Sequence, residues 1–213
     1  MMTKKRKLFC TGLLLIGLFI VWTWMIQVID VKVAGESQTL IGFSTLNLWF
    51  HQLTGVHWWM YTQSDWLSLI PLFICVIFAT LGAIQLFQRK SIRKVDIDLL
   101  LLGVYYSAVI GCYVLFEKIP INYRPVLIEG RMEASYPSST TLLVLSVMAT
   151  FLFQIQKRLK HSSLRHLLSF LAVVFCVLMI GARLWCGVHW CTDILGAVFF
   201  STGAYCLYLS SVL

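Results

Sequence analysis

The chain has 213 residues, 59% of them hydrophobic and only 12% charged, with a formal net charge of +8 and a mean hydropathy of +0.83. A charged share about half that of an ordinary soluble domain excludes a water-soluble globule, because so short a chain cannot bury that much apolar surface in its own core. The basic balance is not accompanied by any nucleic-acid-binding motif, so nucleic acid is not an expected partner, and cationic anchoring beside a membrane accounts for it.

A membrane-crossing helix needs about 20 predominantly apolar residues. Six stretches reach or approach that length: 8–29, 66–88, 97–117, 140–156, 167–185 and 191–212. The expected fold is therefore all-α, a polytopic membrane protein of six transmembrane helices forming a single membrane domain over residues 1–213. The first stretch follows the basic run Lys4-Lys5-Arg6-Lys7. It reads as a span rather than a cleaved signal, because it is long, holds Trp22 and Trp24, and precedes no small-x-small cleavage site. Between the first two spans, residues 31–65 are rich in aromatic and histidine side chains, among them Phe50, His51, His57, Trp58, Trp59 and Tyr61. Such a segment is either an interfacial belt or an amphipathic piece that roofs a site.

Lysine and arginine placement orients the spans. The N-terminal run, the loop 89–94 (RKSIRK) and the loop 157–166 (KRLKHSSLRH) hold four each, twelve of the seventeen in the chain. All three lie on one side, which places both termini in the cytoplasm. The other side keeps Lys32, Lys118, Arg124, Arg131 and Arg183. Cations held at a membrane surface against the usual bias point to function.

Three segments face that outer side: Lys118–Pro125 (KIPINYRP), Tyr136–Thr141 (YPSSTT) and Arg183–Asp193 (RLWCGVHWCTD). Arginine presents a planar fork of donors that matches phosphate oxygens two at a time. Ser138 and Ser139 precede an apolar run, where they would cap a helix whose N-terminus is itself an anion site. His189 and Asp193 are four apart, on one face of a helix beginning near Val188. A carboxylate there would fix the imidazole tautomer and free its other nitrogen to attack. Cys186 and Cys191 flank His189; they admit a disulfide, but no fourth ligand lies close enough in sequence to suggest a zinc site, and no metal or other cofactor is expected.

In these three segments the chain resembles the type 2 phosphatidate phosphatase superfamily of integral-membrane lipid phosphatases, over roughly residues 60–213. The family signature is a lysine followed by Arg-Pro, then Pro-Ser-Gly-His, then Ser-Arg with a downstream His and Asp. The third part matches in spacing through Arg183, His189 and Asp193, with Ala182 in place of the serine. The first part is present as Lys118 and Arg124-Pro125, one residue shorter than usual. The second reads Pro137-Ser138-Ser139-Thr140, so Thr140 stands where the family has the histidine that protonates the leaving group.

The resemblance implies a six-helix bundle in which His189 is the nucleophile and Asp193 its orienting partner. It also implies that Arg124, Arg183, Lys118, Ser138 and Ser139 bind the phosphate. A threonine hydroxyl is a poor acid at neutral pH, so His51 and His57 are candidate surrogates, with Glu129 and Glu133 behind them. The substitution bears on the substrate as well. A phosphate monoester expels an alkoxide, which needs a proton; a diphosphate expels a phosphate monoester, whose second pKa is about 6. A lipid diphosphate is therefore the favoured substrate class, and a polyprenyl diphosphate at the outer face of a bacterial cell membrane would fit. The expected partners are that lipid and the surrounding membrane lipids. Two other readings are an inactive relative that binds phospholipid headgroups, which has no use for the His189–Asp193 pair, and a small transporter component, which predicts more polar residues within the spans.

Overall fold

The computed structural model describes residues 3–36 and 38–213. Helix α1 (Lys4–Val28) leads into a two-stranded antiparallel hairpin, β1 (Lys32–Ala34) and β2 (Thr39–Ile41), in which Val33 pairs with Leu40. Then come α2 (Ser44–Thr54), α3 (Trp58–Leu67), α4 (Leu69–Arg89), α5 (Ile97–Lys118), α6 (Ser139–Arg158), α7 (Ser162–Trp185) and α8 (Cys191–Val212). Five of these helices, α1, α5, α6, α7 and α8, are each long and apolar enough to cross a membrane, and α3 with α4 supplies a sixth such segment, Trp58–Arg89. The chain is a multi-pass membrane protein of six spans.

The second span starts eight residues before the expected 66, because Thr62, Gln63, Ser64 and Asp65 make α3 too polar for a hydropathy reading to include. Its one interruption has a local cause. Pro71 cannot donate to the carbonyl of Leu67, and its ring crowds that turn. Ser68 closes the gap, its N–H donating to the carbonyls of Ser64 and Asp65 at 3.1 Å. The loop expected over 31–65 is likewise structured, as the hairpin, α2 and most of α3.

α6 lies innermost and buries Thr140, Thr141, Ser146, Thr150 and Gln154 along its length. These polar residues within a span cost little because each bonds nearby: the Thr150 hydroxyl donates to Ser146 O at 3.1 Å and meets the Tyr106 hydroxyl at 2.8 Å. α1 packs along α8 at close range, and small residues allow it. A Cβ on Gly12 would stand 2.7 Å from the Leu207 side chain, and one on Gly203 would stand 3.0 Å from Leu15.

The two ends of the bundle differ. At the end carrying the basic loops, the charges are paired. Asp98, buried at the start of α5, accepts from Lys157 Nζ at 2.6 Å, Arg158 Nη2 at 2.7 Å and Gln154 Nε2 at 3.0 Å. Asp96 binds Arg158 Nη1 at 3.0 Å and Arg89 Nη1 at 2.9 Å, and bonds from Gln85, Arg89 and Arg158 hold its carboxyl well below the usual range. This cluster staples α4, α5 and α6 together. Replacing Asp98 with alanine strands Lys157 and leaves Arg158 only its bonds to Asp96 and Gln154; as both cations are partly solvated, the expected loss is about 2–3 kcal/mol, at or just below the low end for a broken buried pair. A fall in the thermal midpoint of the detergent-solubilised protein checks it.

Candidate active site

The opposite end of the bundle gathers the three segments singled out from sequence. Between α5 and α6 the chain doubles back on itself. Arg124 N donates to Glu133 O at 3.1 Å and Ser135 N to Asn122 O at 2.8 Å, so the pairing sets Arg124 opposite Glu133 and Asn122 opposite Ser135 across a short ladder. The β1–β2 hairpin braces this ladder from outside: Glu36 N donates to Pro125 O, and the Glu36 carboxylate accepts Leu127 N, both at 2.9 Å. Between α7 and α8 runs a tight loop. Gly187 adopts φ +69°, and a Cβ there would lie 1.8 Å from the Gly55 carbonyl, so no other residue fits where the α2–α3 connection crosses. Trp190, fully buried, donates its indole N–H to Tyr123 O at 2.7 Å and locks this loop to the Arg124 ladder.

His189 sits in that loop, ahead of α8, rather than on its first turn as the spacing suggested. Its partnership with Asp193 is correspondingly indirect. Nδ1 lies 4.0 Å from Asp193 Oδ2, and Ser135 stands between them. The Ser135 hydroxyl donates to Asp193 Oδ2 at 2.5 Å and lies 3.2 Å from His189 Nδ1. The Ser135 carbonyl is also 3.2 Å from Nδ1. A carbonyl only accepts, and the hydroxyl proton is committed to Asp193, so the proton of a neutral imidazole is assigned to Nδ1. The lone pair is then on Nε2, which is buried and has no partner. Asp193 is held in turn by Trp190 N at 3.0 Å, which caps α8, and by Asn122 Nδ2 at 3.3 Å.

Both arginines of the segments converge here. Arg183, 2% exposed, donates from Nη2 to the Asp65 carboxylate at 2.7 Å and to the Thr140 hydroxyl. Arg124 Nε lies 3.2 Å from Glu133 Oε2, a charge contact without hydrogen-bond alignment. Both guanidiniums lie against the ring of Tyr61, at 4.9 Å for Arg183 and 5.9 Å for Arg124. Nε and Nη1 of each remain buried and unbonded. Burial first, and then the charges of Arg124 and Arg183, hold the His189 pKa well below its ordinary 6.5, so the ring is neutral.

Arg124 and His189, but not Arg183, line a cavity of about 150 Å³, with Glu133, Ser135 and Ser139 and with Tyr113 and Glu117 of α5. At roughly 30 Å³ per water-sized group, it has room for about five such groups, the bulk of a phosphate. Tyr113 and Ser139 also line a second, apolar cleft of about 300 Å³, walled by Leu72 of α4, Val109 and Ile110 of α5, and Leu142 and Leu143 of α6, with Asp65 at its rim. A polar chamber thus adjoins an apolar trough between the spans.

Not every residue named from sequence lies at the chamber. Ser139 lines it, whereas Ser138 is fully buried, with its hydroxyl 3.1 Å from that of Thr141. Lys118 is exposed in the last turn of α5 and Glu129 is exposed in the loop beyond; neither lines either cavity. His51 packs its ring 5.7 Å from that of Trp190, and His57 is held by Thr54 O at 2.8 Å. Both are outside the chamber, while Glu133 is within it. Cys186 and Cys191 are separate thiols bonded to Arg183 O and Asn47 Oδ1, so they do not converge with His189 on a common point. The sequence reading missed Ser135, Asn122 and Asp65. Only Asp65 carried a signal, as an acidic residue beside a span. Of the two readings of the aromatic segment, the geometry fits the roof: α3 lays Tyr61 and Asp65 directly on Arg183.

A family model described as the PAP2 superfamily matches residues 73–212. Among solved structures, the chain is similar to a transmembrane PAP2-type phosphatidylglycerolphosphate phosphatase from Bacillus subtilis, with 19% identity, 94% of each chain covered and a TM-score of 0.63. At that identity the likeness concerns the fold. No curated protein sequence matches significantly.

The depressed pKa of His189 has a measurable sign. An ordinary histidine is mostly charged at pH 6; His189 is expected to remain neutral there, with its proton on Nδ1. The ¹⁵N shifts of the ring, assigned by comparison with His189→Gln, check both points.

Proposed function

The chain belongs to the PAP2 superfamily, and from that premise we propose that it is a lipid phosphatase that works through a phosphohistidine on His189 and prefers a polyprenyl diphosphate. The observation that carries this reading is a set of unused donors beside one unused lone pair. Nε and Nη1 of Arg124 and of Arg183 are buried without partners, and so is Nε2 of His189. Buried donors left open are costly unless a ligand completes them. A phosphate oxygen set is the ligand that matches two guanidinium forks.

Phosphoryl transfer depends chiefly on positioning and on neutralising charge over the equatorial oxygens. Arg124 and Arg183 supply that neutralisation with their own fixed charges. Nε2 of His189 attacks phosphorus, and the N–P bond forms as the bond to the leaving oxygen breaks. The ring then becomes cationic, and the Asp193 carboxylate steadies it through the Ser135 hydroxyl. Water next attacks the phosphohistidine, releasing phosphate and restoring the neutral ring. The lipid chain would lie in the apolar cleft between α4, α5 and α6, reached sideways from the bilayer. The basic loops at the other end support a topology with both termini in the cytoplasm and the chamber on the outer face of the cell membrane. Lys118, exposed in the last turn of α5, would contribute charge to an approaching headgroup rather than a direct bond.

The diphosphate preference follows from the leaving group. Thr140 uses its hydroxyl to accept from Arg183, and it has no acidic proton to give at neutral pH. A leaving phosphate monoester departs with little need of one.

The test is phosphate release by purified protein in detergent from a polyprenyl diphosphate, a polyprenyl monophosphate and phosphatidate. Release is expected to be fastest from the diphosphate, and His189→Ala to lower it by about 10³-fold or more, as loss of a nucleophile does. Arg183→Lys, which replaces a fork by a point charge, is expected to cost about 10²-fold. Release unaffected by His189→Ala would overturn the phosphohistidine, and equal rates on all three lipids would overturn the preference.

A further inference from the structure

Two carboxylates stand at the arginines, and they are not equivalent. Glu133 faces Arg124 within the polar chamber, on the same side as His189. Asp65 faces Arg183 from α3 and lines the apolar cleft instead. The two spaces meet at Tyr113 and Ser139, which line both. A lipid phosphate seated across that junction has phosphorus toward His189 and its ester oxygen, the one bearing the chain, toward the cleft. In-line displacement requires the nucleophile and the leaving oxygen to lie on opposite sides of phosphorus. The leaving oxygen therefore emerges on the Asp65 side.

Asp65 also reaches the position that the missing histidine would serve. Arg183 Nη2 bonds the Asp65 carboxylate at 2.7 Å and the Thr140 hydroxyl as well, so one nitrogen brings the carboxylate next to Thr140. With a side chain 58% exposed, Asp65 is not needed to fill space, and it is free to swing from the guanidinium toward a ligand. The charged groups around it are Arg183 from α7 and, across the Tyr61 ring, Arg124 and Glu133 from the ladder.

We propose that Asp65 is the catalytic proton carrier for the leaving group, in place of the absent histidine. This rests on the phosphatase reading above. A phosphate monoester carries its own proton into the site as a monoanion near neutral pH. As the phosphate oxygens take over Arg183, the displaced Asp65 carboxylate accepts that proton. His189 Nε2 then forms its bond to phosphorus, the phosphorus–ester oxygen bond breaks, and Asp65 passes the proton to the departing alkoxide, which leaves as an alcohol. In the second half-reaction water attacks the phosphohistidine and both of its protons leave on the phosphate, so Asp65 acts only in the first step and ends ionised, as it began. No proton is lost or gained beyond those of ester and water.

The experiment compares three substrates in wild type, Asp65→Asn and His189→Ala: an alkyl monophosphate, a polyprenyl diphosphate and p-nitrophenyl phosphate, whose nitrophenolate leaves without a proton. Asparagine keeps an oxygen for Arg183 but carries no proton. Asp65→Asn is expected to lose about 10²-fold on the alkyl monophosphate, the usual worth of a general acid, while p-nitrophenyl phosphate and the diphosphate are largely spared. Activity on p-nitrophenyl phosphate also reports that the variant is folded. Equal losses on all three substrates would make Asp65 only the counterion that positions Arg183 and would overturn the inference alone, and loss of the p-nitrophenyl activity with an unchanged alkyl rate would do so too. Absence of His189-dependent release from any substrate in wild type would overturn the phosphatase reading itself, and the inference with it.

Discussion

The site end of this molecule is organised around a pair of guanidinium groups that are buried yet only half satisfied. A cation taken out of water must find counter-charge or hydrogen-bond acceptors, or it destabilises the fold that holds it. Arg183 finds Asp65, Thr140 and the face of Tyr61; Arg124 finds Glu133 and the same ring. Those partners are enough to keep both side chains in place and too few to use all their donors. Much of the surrounding architecture serves that balance. The Asn122–Ser135 ladder fixes Arg124, the Trp190 indole ties the ladder to the His189 loop, and Gly187 lets the roofing segment close over it.

Burial, and after it the same two charges, set the state of His189. Both disfavour a protonated ring, so the imidazole stays neutral where a solvent-exposed histidine would begin to charge. A neutral ring with its proton committed to Ser135 has one available lone pair, on a residue that lines the chamber. Asp193 contributes through the Ser135 hydroxyl, so its negative charge acts on the ring without lining the chamber.

The contrast with the other end is instructive. There the cations Lys157, Arg158 and Arg89 meet Asp96 and Asp98, and the amides of Gln85 and Gln154 complete the network. Complete pairing makes a staple; incomplete pairing leaves donors open for the proposed ligand. One chain uses both within the same bundle, and the difference lies in how many acceptors each arginine is given. The substitution at Thr140 belongs to this economy. A hydroxyl that accepts from Arg183 offers no acid at neutral pH, and in the proposed reaction the demand for a proton falls on the substrate and on Asp65.

Six spans, their all-α character and the clustering of three polar segments at one end were legible in the sequence, because apolar runs of about 20 residues have few alternatives in lipid. That Arg124, Arg183, His189 and Asp193 come to the same end was legible as well, since their spacing brings them to the ends of spans. The extent of α3 was not, because its polar face resembles a loop until it is packed against α7. Nor was the placement of His189 in the loop before α8, or the Ser135 hydroxyl that links it to Asp193, since a contact across 54 residues leaves no local pattern. Composition and periodicity determine which segments enter the membrane and which charges stay at its surface. Only the packed bundle decides which hydroxyl lies between a histidine and an aspartate, which carboxylate reaches an arginine, and which lysine is left outside, because those choices depend on distances between elements that the chain order does not contain.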